Sequence, residues 1–315
     1  MKHSLRIIIW MVIFFFISQV IGLLVVSNYL SVQEVTKIDI LTNETYLTNE
    51  TVALDLPNNL ERPQFDTSLE FISYLVIAIL LTTMLFLFLI KLKTTVLWKF
   101  WFFIAVFLCL TISLAAFMPS IIATILGLFF ALWKIFKPNV LVHNLTELFI
   151  YGGLAALLVP IPIVNVSTII IVLVLISIYD AYSVWKSKHM VAMAQFQAKS
   201  KVFAGLLIPY KKSKLESTAP KKGKVMFKGI KTAILGGGDV AFPLLFAGTV
   251  MKSMLMDASF MIIFLKTLII PLFTGLALFL LFMKGREDRF YPAMPFLTAG
   301  CLVGYGILLL VNSVF

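Results

Sequence analysis

The chain has 315 residues, of which 61% are hydrophobic and only 13% charged, and its mean hydropathy is +1.02. A soluble domain carries about 45–50% apolar and about 25% charged residues. The composition therefore excludes a soluble protein with a single anchor and predicts an all-α polytopic membrane protein, with nearly all of its length in spans and their connections. The net charge of +11 does not point to nucleic acid; the lysines cluster beside apolar segments, where positive-inside bias accounts for them.

A span needs about 20 apolar residues. Nine candidates follow one another at 7–29, 69–90, 100–118, 121–136, 145–159, 163–185, 230–250, 258–283 and 290–314. The first follows Lys2 and Arg6, is long, and lacks a small-residue cleavage site, so it reads as a retained helix. An acidic stretch over 31–68 comes next, with Glu34, Asp39, Glu44, Glu50, Asp55, Glu61 and Asp66, and with glycosylation tripeptides at Asn43 and Asn49. Alternating spans put Lys91, Lys93, Lys99, Lys134, Lys137, Lys284, Arg286 and Arg289 on the other side. That asymmetry predicts a cytoplasmic N-terminus and an extracytoplasmic C-terminus. A third tripeptide, at Asn144, falls on the inner side and is expected to be unused. The fourth and fifth candidates are short, and Glu147, at the inner end of the fifth, reads as interfacial.

Three parts result: a membrane bundle over 1–185, a basic cytoplasmic loop over 186–229, and a second bundle over 230–315. The loop contains Lys211-Lys212-Ser213-Lys214 and Pro220-Lys221-Lys222-Gly223-Lys224. It reads as a flexible linker drawn to anionic lipid headgroups, with an interfacial helix over 190–207. Cys109 and Cys301 lie in apolar runs, and the three histidines are scattered. Neither a disulfide framework nor a metal site is expected, and no cofactor is implied.

Two acids stand inside apolar runs, Asp180 after Tyr179 and Asp239 after Gly236-Gly237-Gly238. A charge at the bilayer centre costs about 2.5–3.5 kcal/mol, so each is a functional candidate. Asp180 lies about six residues and Asp239 about nine from the inner end of its span, which at 1.5 Å per residue predicts similar depths of about 8–14 Å. Two carboxylates sharing a proton would make an aspartic protease dyad; they would equally suit a proton relay or ion path in a transporter. Gly236, Gly237 and Gly238 are expected to loosen the helix for a close backbone approach. Pro292-Ala293-Met294-Pro295 enters the membrane on the same side, where two prolines interrupt a regular helix. Further along, Gly300 and Gly304 form a small-residue face for helix packing. Lys266, within the eighth span, is expected to snorkel outward or to pair with an outer acid.

Tyr179-Asp180, Gly236-Gly237-Gly238-Asp239 and Pro292-Ala293-Met294-Pro295 resemble the YD, GxGD and PAL motifs of the presenilin and signal peptide peptidase family, in order, span and sidedness. Met294 replaces the family leucine at similar volume. The predicted orientation is similar to presenilin, whereas Gly238-Asp239-Val240 with Pro243 resembles the peptidase branch more. The resemblance implies an intramembrane aspartyl protease with Asp180 and Asp239 as its catalytic pair. Tyr179, the three glycines and the proline motif would support substrate binding. Its substrates would be transmembrane peptides or proteins. The short length and reduced loop are similar to microbial homologues that act without partner subunits, which implies a prokaryotic plasma membrane.

Overall fold

A computed structural model describes residues 5–38, 45–92, 94–187, 193, 196–197, 200, 202–212, 226–227, 230–285 and 291–314. Among them nine helices run in chain order: α1 (Leu5–Ser27), α2 (Ser68–Leu92), α3 (Val96–Ala115), α4 (Ser120–Phe136), α5 (Val140–Leu158), α6 (Val166–Tyr182), α7 (Gly237–Met254), α8 (Phe260–Lys284) and α9 (Met294–Val314). Helices are the open-ended solution in lipid, because they satisfy every backbone donor and acceptor internally. Seven are long and apolar enough to cross a membrane; α4 has 17 residues, and α7 is the other exception.

Helix boundaries follow local chemistry. α5 starts five residues earlier than its expected span of 145–159, because the Asn139 side chain caps it by accepting from the Leu141 N–H. α6 begins at Val166 rather than 163, where Asn165 accepts from the Thr168 N–H. α8 is interrupted at Leu268; Pro271 has no N–H to offer the Thr267 carbonyl. Gly300 and Gly304 behave as expected. A Cβ there would lie 2.8 Å from the Thr274 Cα and 2.9 Å from the Ile270 Cα, so only glycine lets α9 press onto α8.

The seventh expected span, 230–250, is corrected. Its first residues form a strand, β5 (Ile230–Gly236), and the helix starts at Gly237. Ile230, Thr232 and Ile234 are β-branched, which suits the strand. β5 lies between β3 (Gly205–Lys212) and the two-residue β4 (Met226–Phe227), antiparallel to both, with Gly205 opposite Gly236. The loop is thus ordered at 205–212, where a linker was expected. Of the expected interfacial helix at 190–207, the described residues 193, 196, 197 and 200 are helical, eight residues lie outside the described ones, and from Gly205 the chain is strand. The acidic segment contributes a separate hairpin of β1 (Leu30–Ile38) and β2 (Thr45–Ala53). Asn49 is exposed in it; Asn43 lies outside the described residues.

One core runs through α1, α5, α6, α7 and α9, and includes Phe15, Tyr151, Leu173, Leu244, Phe246 and Leu297. α7 is held at both ends. Near its start, the Gln19 amide of α1 donates to the Val240 carbonyl at 2.9 Å, within the turn that Pro243 distorts. Near its end, Lys252 donates to the carbonyls of Val159, Ile161 and Val164 at 3.1, 2.7 and 3.1 Å, closing the α5–α6 turn. Lys266 pairs with Asn312 of α9 at 2.8 Å, so its partner is an amide and not the expected acid.

Candidate active site

Asp180 stands in the last turn of α6, which passes into a π-helical turn at Ser183–Ser187. Such widened turns are frequent at functional sites. The carboxylate is buried, at 7% exposure. Its Oδ2 accepts from the Met294 N–H at 3.1 Å, and the Ala293 N–H also donates to it. Those donors exist because α9 starts late. Pro292 is buried and non-helical, Ala293 supplies the first helical carbonyl, and Pro295 takes the second helical position, where its missing N–H costs nothing. The expected ninth span of 290–314 therefore begins at Met294. Its unpaired N-terminal donors face a carboxylate from another helix, the favourable end of the helix dipole for a negative charge.

Asp239 is the third residue of α7, not a mid-helix residue nine positions into a span. Gly236 is the capping residue, in extended conformation, and its backbone N–H donates to the Asp239 side chain. This is one half of a capping box. A Cβ on Gly236 would come within 3.1 Å of Asp239 Oδ2, and one on Gly237 within 3.3 Å of the Tyr151 ring and hydroxyl. The glycines thus do not loosen a helix. They end a strand, start a helix, and leave room for a carboxylate and a phenol. Gly238 is exposed and faces Phe242.

Asp239 lies within reach of the Asp180 charge. The last turn of α6, the first turn of α7 and the first turn of α9 thus meet at one place. Ser177 strengthens the junction, pairing with Thr298 of α9 at 2.7 Å one turn before Asp180. Tyr179 points elsewhere: its hydroxyl pairs with Thr83 of α2 at 2.7 Å and ties α6 to its lipid-facing neighbour.

Glu147, expected at the interface, is enclosed by protein. It is 1% exposed and bonds Lys134 of α4 at 2.6 Å and the Tyr151 hydroxyl at 2.5 Å. Sequence reading missed Lys134, Tyr151 and Gln19. The available signal was a pair of opposite charges at the inner ends of two short, consecutive apolar helices.

The family model for signal-peptide peptidase and presenilin aspartyl proteases matches residues 13–314. No curated protein matches the chain. Two solved structures of a presenilin family intramembrane aspartate protease, in C222 and P2 crystal forms, share its fold. The first is 16% identical with a TM-score of 0.53, covering 95% of this chain and 99% of that one. The second is 17% identical with a TM-score of 0.54, covering 96% and 97%.

Proposed function

Because the chain belongs to the signal-peptide peptidase and presenilin family of intramembrane aspartyl proteases, we propose that Asp180 and Asp239 are the catalytic pair with which it hydrolyses peptide bonds in or near transmembrane segments. The observation that carries this reading is the junction of three helix ends around two neighbouring carboxylates. One carboxylate takes a proton from water as the water attacks the peptide carbonyl. The other, protonated, donates to the carbonyl oxygen as it gains charge; a proton then passes to the leaving amine. The two groups titrate as one coupled site.

The backbone N–H groups of Ala293 and Met294 hold Asp180 in place, and the Gly236 N–H holds Asp239. An extended substrate fits this reading, since a helix hides its carbonyls in its own hydrogen bonds. β4 pairs with β5 only at Ile230 and Lys231, so residues 232–236 lead to Asp239 with one edge unpaired among the described residues. A strand added there would gain main-chain hydrogen bonds. We further assign a cytoplasmic N-terminus, an extracytoplasmic C-terminus, a prokaryotic plasma membrane and activity without accessory subunits. The positive-inside pattern supports the orientation.

The test is cleavage of a labelled transmembrane peptide by the purified protein in liposomes, with ion flux measured in parallel. Cleavage that requires both acids supports the reading; flux without cleavage overturns it in favour of an ion path.

A further inference from the structure

The face of α5 that carries His143, Asn144, Glu147 and Tyr151 is polar, buried and aimed at the segment leading into Asp239. Their spacing places all four within about 100° of one another on a helix of 3.6 residues per turn. Each has a partner that matters for the site. The Asn144 amide donates to the Leu207 carbonyl at 2.7 Å and accepts from its N–H at 2.9 Å. His143 Nε2 meets the Gly205 carbonyl at 2.7 Å; a carbonyl only accepts, so this nitrogen carries the proton. The neighbouring Ala204 carbonyl accepts from the Gly237 N–H at 3.2 Å. Tyr151 closes the circuit from the other side, with its phenol against Gly237.

Tyr151 does not hold itself. Its hydroxyl donates to Glu147 Oε2 at 2.5 Å, and Glu147 Oε1 takes Lys134 Nζ at 2.6 Å. Lys134 also donates to Thr146 Oγ1 at 3.0 Å. Lys134 and Glu147 are 3% and 1% exposed. A buried ion pair is a poor way to add stability, since an apolar pair of equal volume does as well. It is a good way to fix direction, because charge-assisted bonds in a low dielectric are strong and oriented.

We propose that the chain Lys134–Glu147–Tyr151 is a positioning device for Asp239. The ion pair fixes the Tyr151 phenol, and the phenol is the wall against which the Gly236–Gly238 turn, and with it the carboxylate, is set. The inference rests on the assignment of Asp239 as catalytic. A displacement on the order of 1 Å at the reacting group can cost about a hundredfold in rate, so loss of the wall should appear in turnover before it appears in folding.

Two variants of the full chain test this on one transmembrane peptide in liposomes. Tyr151→Phe keeps the ring against Gly237 and removes the hydroxyl that orients it. The triple variant Lys134→Met, Glu147→Met, Tyr151→Phe replaces the whole network with apolar side chains and leaves no charge unpaired. The expected result is a Tm near the parent's for the triple variant and a lower one for Tyr151→Phe, which leaves buried Glu147 Oε2 without its donor; in both, KM is unchanged and kcat per folded molecule is on the order of tenfold to a hundredfold lower. A parent-like kcat in the triple variant, or in Tyr151→Phe should the triple not fold, overturns the proposal, as does a rise in KM alone. Parent and Asp239→Ala are run alongside. An inactive parent or an active Asp239→Ala defeats the catalytic assignment itself. An active parent, an inactive Asp239→Ala and parent-like network variants defeat only the positioning role.

Discussion

α2 and α7 solve opposite problems. α2 has 25 residues and buries three of them, Phe71, Phe86 and Leu89, while Leu80, Met84 and Phe88 are exposed to the membrane's apolar interior. α7 has 18 residues and buries 12, yet it is not among the seven helices apolar enough to span on composition. The hydropathy that makes a helix insert is thus a poor guide to where the chemistry sits. α7 can hold Asp239, three glycines and a proline because other helices cover it, and polar or irregular backbone at membrane depth is tolerated where protein covers it. Lipid is the solvent of α2; α1, α5 and α9 are the solvent of α7.

That contrast can be broken at its strongest point first. Asp180→Ala and Asp239→Ala should each reduce peptide cleavage to the detection limit while the protein still inserts and folds, as read by turnover per folded molecule. Near-normal turnover in either would remove the shared pair. With both acids present, the rate should rise and then fall with pH. At low pH both carboxyls are protonated and no base remains; at high pH both are ionised and no acid remains. A flat profile with folding intact would count against carboxylate catalysis.

Pro292→Leu comes next, with a loss of about tenfold in turnover and a smaller loss of inserted protein. It permits the helix to extend past Ala293, which would consume the N–H groups that Asp180 accepts. Met294→Leu should be nearly silent, since the volume is kept and the donor is the backbone. Equal rates for Pro292→Leu and the parent would detach the proline motif from the site.

Gln19→Leu sharpens the comparison from the side of α1. It removes the side-chain donor to the Val240 carbonyl and, with it, a buried amide oxygen that has no partner of its own; the net loss should be about 1 kcal/mol or less, measurable as a slightly lower Tm. The smallest effects belong to α2. Leu80→Ala and Met84→Ala should change stability by no more than about 0.5 kcal/mol and leave turnover unchanged. A large effect from either would show that α2 does more than face lipid.

Much of the site was legible because its residues violate local rules. Acids in apolar runs, a glycine triplet and two prolines at a membrane entry each conflict with a regular spanning helix, and three of those conflicts fall together in space. The strand at Ile230–Gly236 was not legible for the converse reason. Ile230 to Leu235 joined to the run after Asp239 reads as one apolar segment, and periodicity alone cannot separate a buried strand from a buried helix. Gly236 was the visible boundary, and it was read as a flaw within a helix. Lys134 and Glu147 were hidden by their place near the expected membrane surface, where a charge needs no partner; only the tertiary fold shows that they face each other.

Asn144 gives the small sheet a sidedness. Its amide offers Leu207 one donor and one acceptor, which is what a further strand would have offered, so the outer margin of β3 is closed at Leu207 by a side chain. Open margins invite unwanted partners, and a single asparagine withdraws one of them. What remains among the described residues is the edge of β5 over 232–236. A peptide added there, as proposed, would find its main-chain partners on that side of the sheet and not along Leu207.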